Sequence, residues 1–125
     1  MKTADLIIHW QSPSAFKGSQ RIIQRHLDDV LRRLGSVGRV EIEISLVTDK
    51  EIRILKTRFL GIDESTDVLS FPSEGKLGQL TGSIAISIQT ARRQAEQAGV
   101  DIIDEVKMLA GHGLLHLLGY QHRWI

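Results

Sequence analysis

One segment near the C-terminus constrains the fold more than any other. From about Ile102 to Leu118 the chain carries Ile102, Ile103, Val106, Leu109, Leu114, Leu117 and Leu118, with Met108 and Leu115 between them. Wound as a helix, these side chains point in most directions, so no wide polar face is left for water. Such a helix belongs at the centre of the molecule, with the other elements packed around it. Asp101 stands where an N-terminal cap is needed. Gly111 and Gly113 lie inside the segment, where each costs about 1 kcal/mol relative to Ala. Glycines there suit close approach by a backbone or a ligand, or tight packing against a sheet.

The same helix carries metal-binding chemistry. From position 112 the chain reads His112-Gly113-Leu114-Leu115-His116-Leu117-Leu118-Gly119-Tyr120-Gln121-His122. His112 and His116 are four residues apart, so both imidazoles leave one helix face about one turn apart. Gly119 suits a left-handed helix end, and the turn swings His122 back toward the other two. Three neutral imidazoles suit one zinc ion with its fourth position open, as a catalytic metal requires. The spacing is shared with the metzincin-type protease pattern His-Glu-x-x-His-x-x-Gly-x-x-His. There the Glu after the first His is the general base; here that position is Gly113. The metal cage is kept and the protease base is gone. His9 and His26 lack such neighbours and read as hydrogen-bonded core residues.

At 125 residues the chain is expected to form one domain, with room for a core that needs no disulfide. It has no cysteine, which excludes thiolate ligands. The net charge is +1, so bulk electrostatics do not announce a nucleic-acid partner. Lys56, Arg58, Arg92 and Arg93 are candidates for a local basic groove; the plainer reading is a solvated surface. No apolar run approaches the roughly 20 residues of a membrane span, and the N-terminus shows no signal pattern. A cytoplasmic protein with no membrane partner is expected.

Elements alternate along the chain, which favours an α/β arrangement. Strands are expected over Thr3 to Ile8, Val40 to Val47, Asp67 to Phe71 and Gly82 to Ile88. In the second, Val40, Ile42, Ile44 and Leu46 alternate with Glu41, Glu43 and Ser45, the period of a half-buried strand. About ten residues containing Pro72, Gly75 and Gly78 separate the last two strands as a long hairpin loop. A helix is expected over Gln20 to Leu34, capped by Ser19 and ended by Gly35. Another opens on the capping box Thr48-Asp49-Lys50-Glu51 and runs to about Phe59, with the apolar stripe Ile52, Leu55 and Phe59, before Gly61. A third covers Thr90 to Ala98 and closes on Gly99.

Three blocks resemble the YbeY family. His112 to His122 is similar to the family pattern His-Gly-x-x-His-Leu-x-Gly-Tyr-Asp-His. Ser65-Thr66-Asp67-Val68-Leu69-Ser70-Phe71-Pro72 resembles its Thr-Asp-Val-Leu-Ser-Phe-Pro run. Gly82-Ser83-Ile84-Ala85-Ile86-Ser87, followed by Thr90-Ala91-Arg92-Arg93-Gln94-Ala95, resembles Gly-Asp-Ile-x-Ile-Ser and the helix after it. The blocks keep the family's order and spacing and cover roughly residues 40 to 122.

The resemblance implies a single α/β (α+β) domain over 1–125, a small mixed four-stranded sheet, mostly parallel, packed by helices. It implies a metal-dependent endoribonuclease for single-stranded RNA, above all ribosomal RNA, engaged in small-subunit rRNA maturation and ribosome quality control. The partners implied are the small ribosomal subunit or its associated proteins. His112, His116 and His122 carry over as ligands of one zinc ion per chain, His116 also counting as catalytic. Arg58 carries over as the residue that binds substrate or assists catalysis. The sequence departs from the pattern at Gln121, where the family has Asp, and at Ser83, where it also has Asp. Gln121 can hydrogen-bond but cannot act as a base. The family pattern also implies an acidic tail, whereas this chain stops three residues past His122.

The expected reaction is metal-assisted phosphodiester cleavage, with Arg58 pairing a phosphate through its planar fork. The nucleophile stays open between water and the RNA 2′-hydroxyl. Asp67 and Ser70 are candidates for polar help near the site; their plainer readings are a turn cap and a strand position. For Arg58 the plainer reading is a surface ion pair with Glu51 or Asp63. Two functions compete: a zinc-stabilised RNA- or ribosome-binding module without catalysis, and another zinc hydrolase, such as an unusual peptidase.

Overall fold

The computed structural model describes residues 4–12, 14–36, 38–75 and 79–120. Its architecture follows from one alternating strand, β2 (Arg39–Val47). Val40, Ile42, Ile44 and Leu46 all leave the same face of β2 and are all buried, while the glutamates between them face the other way. Around β2 lie β1 (Asp5–Gln11), β3 (Val68–Ser73) and β4 (Gln79–Ser87). The sheet order is β1-β2-β4-β3. β1 and β4 run parallel to β2, and β3 runs antiparallel to β4 at one edge. The mixed four-stranded α/β (α+β) arrangement expected above is the one observed.

The apolar face of the sheet is covered by α1 (Gln20–Arg33), α3 (Ile88–Ala98) and α4 (Ile102–Leu117). Leu27, Leu31, Ala91, Val106 and Leu114 from these helices share one cluster with Ile42, Ile44, Ile84 and Ile86 of the sheet. In α4, Val106, Ala110 and Leu114 are 0% exposed, as the pattern without a polar face required. Each large apolar side chain buried this completely contributes about 1.5–3 kcal/mol. The opposite face bears α2 (Asp49–Leu60), whose Ile52 joins Leu69 and Ala85 in a small second cluster.

Local signals held closely. The capping box at Thr48 and Glu51 forms with both of its hydrogen bonds. Gly61 and Gly99 both sit at φ 70 at their helix ends, where a side chain would be strained. Some expectations shift. β1 begins later than Thr3, which lies outside the described residues, and runs past Ile8 to Gln11, because parallel pairing with β2 continues to Gln11↔Ser45. The hairpin is shorter than ten residues: pairing of β3 with β4 extends to Ser73↔Thr81. Pro72 is tolerated within β3 because that strand is at the sheet edge, where a missing N–H interrupts no central ladder. Ser19 stands at the α1 cap position without a side-chain cap bond, since a 3₁₀ turn (Ser14–Ser19) already leads into the helix in helical geometry, and Asp101 likewise heads α4 without a side-chain cap bond. Phe59 is not a core residue; it is 59% exposed and stacks at a tilt on Phe71, with ring centroids 4.9 Å apart.

Candidate active site

Two elements build the cleft that holds the histidines. α4 presents His112 and His116 one turn apart, and edge strand β3 runs alongside. Because side chains alternate along a strand, Val68 packs toward the main core while Leu69 and Phe71 join the small cluster on the other face. Ser70 shares the side of Val68 and therefore meets α4. The Ser70 hydroxyl and His116 Nδ1 are 2.5 Å apart. Leu60, Asp67, Leu69, Ser70, His112, Gly113 and His116 line this cleft of about 360 Å³. A larger cleft of about 870 Å³ opens on the opposite face of the sheet, lined partly by Glu43, Ser45, Phe59, Phe71 and Ser83. Among the described residues its lining includes no histidine, whereas the smaller cleft holds two.

Gly113 explains what the histidine motif can and cannot do. A Cβ at this position would lie 2.7 Å from Ile84 Cγ2 and 3.1 Å from two further Ile84 atoms. Ile84 is fully buried on a central strand and, being β-branched, is stiff. The general-base Glu of the protease pattern therefore has no room. The helix approaches the sheet too closely at that point. Gly111 serves another neighbour: a Cβ there would stand 3.4 Å from His26 Nε2.

The described part of the motif fits a nitrogen-preferring divalent metal. Two imidazoles open into one cleft, and the Ser70 hydroxyl at His116 Nδ1 is the kind of second partner that orients a metal-binding ring. His122 and Gln121 lie outside the described residues. Asp67 lines the same cleft, and its carboxylate accepts from the Val68 N–H at 2.8 Å and from the Gln94 amide at 3.4 Å. It is thus both a turn cap and a cleft residue. Ser70, a candidate for polar help from sequence, does line the cleft beside His116; its phase with Val68 is the signal that puts it there.

Arg58 is not in the histidine cleft. It is exposed on α2 and lines a neighbouring groove of about 600 Å³ with Lys50, Arg53, Ile54, Thr57 and Asp63. Leu60, two residues further on, reaches the histidine cleft, so the end of α2 adjoins both. The alternative expectation, a surface ion pair to Glu51 or Asp63, is not met. Arg53 takes Asp63 at 2.7 Å, and Glu51 is engaged in the capping box. Of the basic candidates Lys56, Arg58, Arg92 and Arg93, Lys56 pairs with Glu64 and Arg93 with Asp49 at the surface.

The remaining histidines correct the core assignment. His9 is exposed on β1 and meets Glu41 at 2.8 Å, because its side of the strand faces away from the helices. His26 is half-buried on α1. Burial there, reinforced by the Lys107 charge, lowers its pKa.

Comparison with known proteins agrees with these observations. The family model described as Endoribonuclease YbeY matches residues 9–124. An endoribonuclease YbeY of Nautilia profundicola is 51% identical over 82 residues, covering 66% of this chain and 59% of that protein. Those of Sulfurihydrogenibium and Thermus thermophilus are 39% and 43% identical, covering 83% and 81% of this chain and 72% and 75% of theirs. The solution structure of a Thermotoga maritima protein superposes with a TM-score of 0.61 at 24% identity, over 95% of this chain and 77% of that one, a likeness of fold. With its motif blocks in order and His112, His116 and Ser70 gathered in one cleft, this chain belongs to the YbeY endoribonuclease family.

Proposed function

We propose that this chain is a metal-dependent endoribonuclease that cuts single-stranded RNA and serves in the maturation of small-subunit ribosomal RNA. Family membership supports the nuclease activity and the RNA substrate. One observation carries the site: Ser70 and His116, 46 residues apart, meet at 2.5 Å in the cleft that also holds His112.

In this reading His112, His116 and His122 hold one zinc ion per chain. When bound, the ion supplies Lewis-acid stabilisation of charge on the phosphate. His116 Nδ1–H donates to the Ser70 hydroxyl, which commits the ring to one tautomer and leaves the Nε2 lone pair for the metal. Gly113 lets α4 sit close enough to β4 for this register. Arg58, in the adjoining groove, binds a phosphate of the same strand through its guanidinium fork. In this reading the protein acts in the cytoplasm beside the small ribosomal subunit or its associated proteins. Among the described residues no helix is long and apolar enough to cross a membrane.

The test is cleavage of a labelled single-stranded RNA by metal-assayed wild-type protein beside His116→Ala purified identically. Cleavage that follows metal content and falls by more than about a hundredfold in the variant is expected. Equal cleavage by both would refute the assignment. Bound metal without cleavage would favour the zinc-stabilised binding module.

A further inference from the structure

The sheet edge opposite the histidine cleft carries its own concentration of charge. Arg21, Arg25 and Arg32 of α1 line one open groove of about 480 Å³, with Asp28 among them and Trp10 of β1 on its wall. Positions 21, 25, 28 and 32 follow one another by four, three and four residues, so they form one stripe of the helix. Three guanidinium groups against one carboxylate leave this groove at +2, whereas the whole chain is only +1.

These arginines differ from most others on the surface. Arg33 pairs with Asp29, Arg39 with Glu41, Arg53 with Asp63 and Arg93 with Asp49. Among the described residues, the side chains of Arg21, Arg25 and Arg32 take part in no ion pair or hydrogen bond, although Asp28 lies on the same stripe. On the far side of Arg25 and Arg32 stand His26, Asp29 and Lys107, of which Asp29 and Lys107 are already paired. A row of uncommitted guanidinium groups suits a row of anions. Helical rise sets Arg21 and Arg32 about 16 Å apart along the axis, long enough to follow several phosphates of an extended strand. Trp10 is half-buried against the core and offers the rest of its ring to a stacking base.

We propose that this groove is a second RNA-binding site, which holds the phosphate backbone of single-stranded RNA flanking the stretch in the histidine cleft. The proposal rests on RNA being the substrate. β1 and β3 are opposite edges of the sheet, so the groove contributes affinity and takes no part in bond cleavage. Its loss raises KM and leaves kcat unchanged.

The experiment compares wild type, Arg21→Gln/Arg25→Gln, and the charge-matched control Arg39→Gln/Arg92→Gln. Binding of a fluorescein-labelled single-stranded oligoribonucleotide is measured from low to high salt, and steady-state cleavage is measured on the same preparations. The groove variant is expected to bind about tenfold more weakly, with the slope of log K against log salt reduced by about 1.4, since each lost phosphate contact on a single strand removes about 0.7. Its KM rises by the same factor at constant kcat, while the control stays within about twofold of wild type. A groove variant that matches the control overturns the proposal, and continued wild-type cleavage then leaves the endoribonuclease reading intact. A wild-type protein that neither binds nor cleaves RNA at any salt overturns both. Unchanged RNA affinity with lost co-sedimentation on small ribosomal subunits overturns it in favour of a protein partner.

Discussion

α4 and α2 both border the candidate site, but different forces hold them. α4 is packed on several sides, and Val106, Leu109, Ala110 and Leu114 are at most 1% exposed. α2 buries only Ile52 completely; Ile54, Phe59 and Leu60 are 50–59% exposed. Its position depends on polar contacts near its ends. The Asp49 carboxylate accepts from Ser87 at 2.5 Å, Thr90 at 2.6 Å and Arg93 at 3.0 Å, and the Asp49 N–H donates to Gln89 at 2.8 Å. Arg53 and Asp63 tie the other end. The candidate metal ligands are thus carried by the element whose geometry packing over-determines. The phosphate-binding candidate, Arg58, rides on a helix held by hydrogen bonds that water and protons can contest.

That contrast is open to direct attack. Leu114→Ala should cost about 2–5 kcal/mol, because the surrounding core cannot collapse into the cavity. Ile54→Ala on α2 should cost less than about 0.5 kcal/mol, as exposed positions do. Denaturant titration of both variants measures the difference, and similar values would dissolve the comparison. Arg58→Ala should lower RNA cleavage by about a hundredfold, near 2.7 kcal/mol in the barrier, with metal content unchanged. Lost metal or undiminished cleavage would remove Arg58 from the site.

Ser70→Ala should weaken metal binding about tenfold in a chelator competition, since the ring loses the partner that orients it. Ser70→Thr should restore most of it. An equal loss in both would indicate a packing effect. In Gly113→Ala the overpacking against Ile84 costs about 1–3 kcal/mol, which exceeds the roughly 1 kcal/mol gained in helix propensity. A variant more stable than wild type would show that α4 can move off the sheet.

A modest, pH-dependent effect belongs to Asp49. Hydrogen bonds from Ser87 and then Thr90, with help from Arg93, hold its carboxyl below the ordinary range. A depressed folded pKa means that this contribution is complete above the unfolded value, near 3.9. It is lost as pH falls from there through the folded value. Asp49→Asn should therefore cost about 1 kcal/mol at neutral pH and progressively less as pH drops below about 4. Stability curves for the two proteins that run parallel over that range would contradict the account. Hydrogen exchange should report the same change first in α2, and only weakly in α4.

Much of the fold was legible because its signals are local. The alternation at Val40–Val47, the Thr48–Glu51 box, Gly61 and Gly99 each involve residues within one turn or one strand of each other. The His112–His116 pair was legible for the same reason, since the helical period alone places both rings on one face. The hairpin was read as too long because nothing in Pro72 announces that β3 is an edge strand. His9 was read as core because its own neighbours do not say which side of β1 faces the helices.

By itself, then, the sequence determined the elements, the Thr48 capping box, the glycine helix ends, the central helix and the pair of imidazoles, all of which arise from contacts between near neighbours along the chain. Only the tertiary structure decided that Ser70 meets His116, that Ile84 occupies the space a base at position 113 would need, and that Arg58 opens into a separate groove. Those relations depend on strand register and on which face of the sheet each helix covers. A one-residue shift in register turns every side chain of a strand to the opposite face, so such contacts are set by the packed whole and by no single segment.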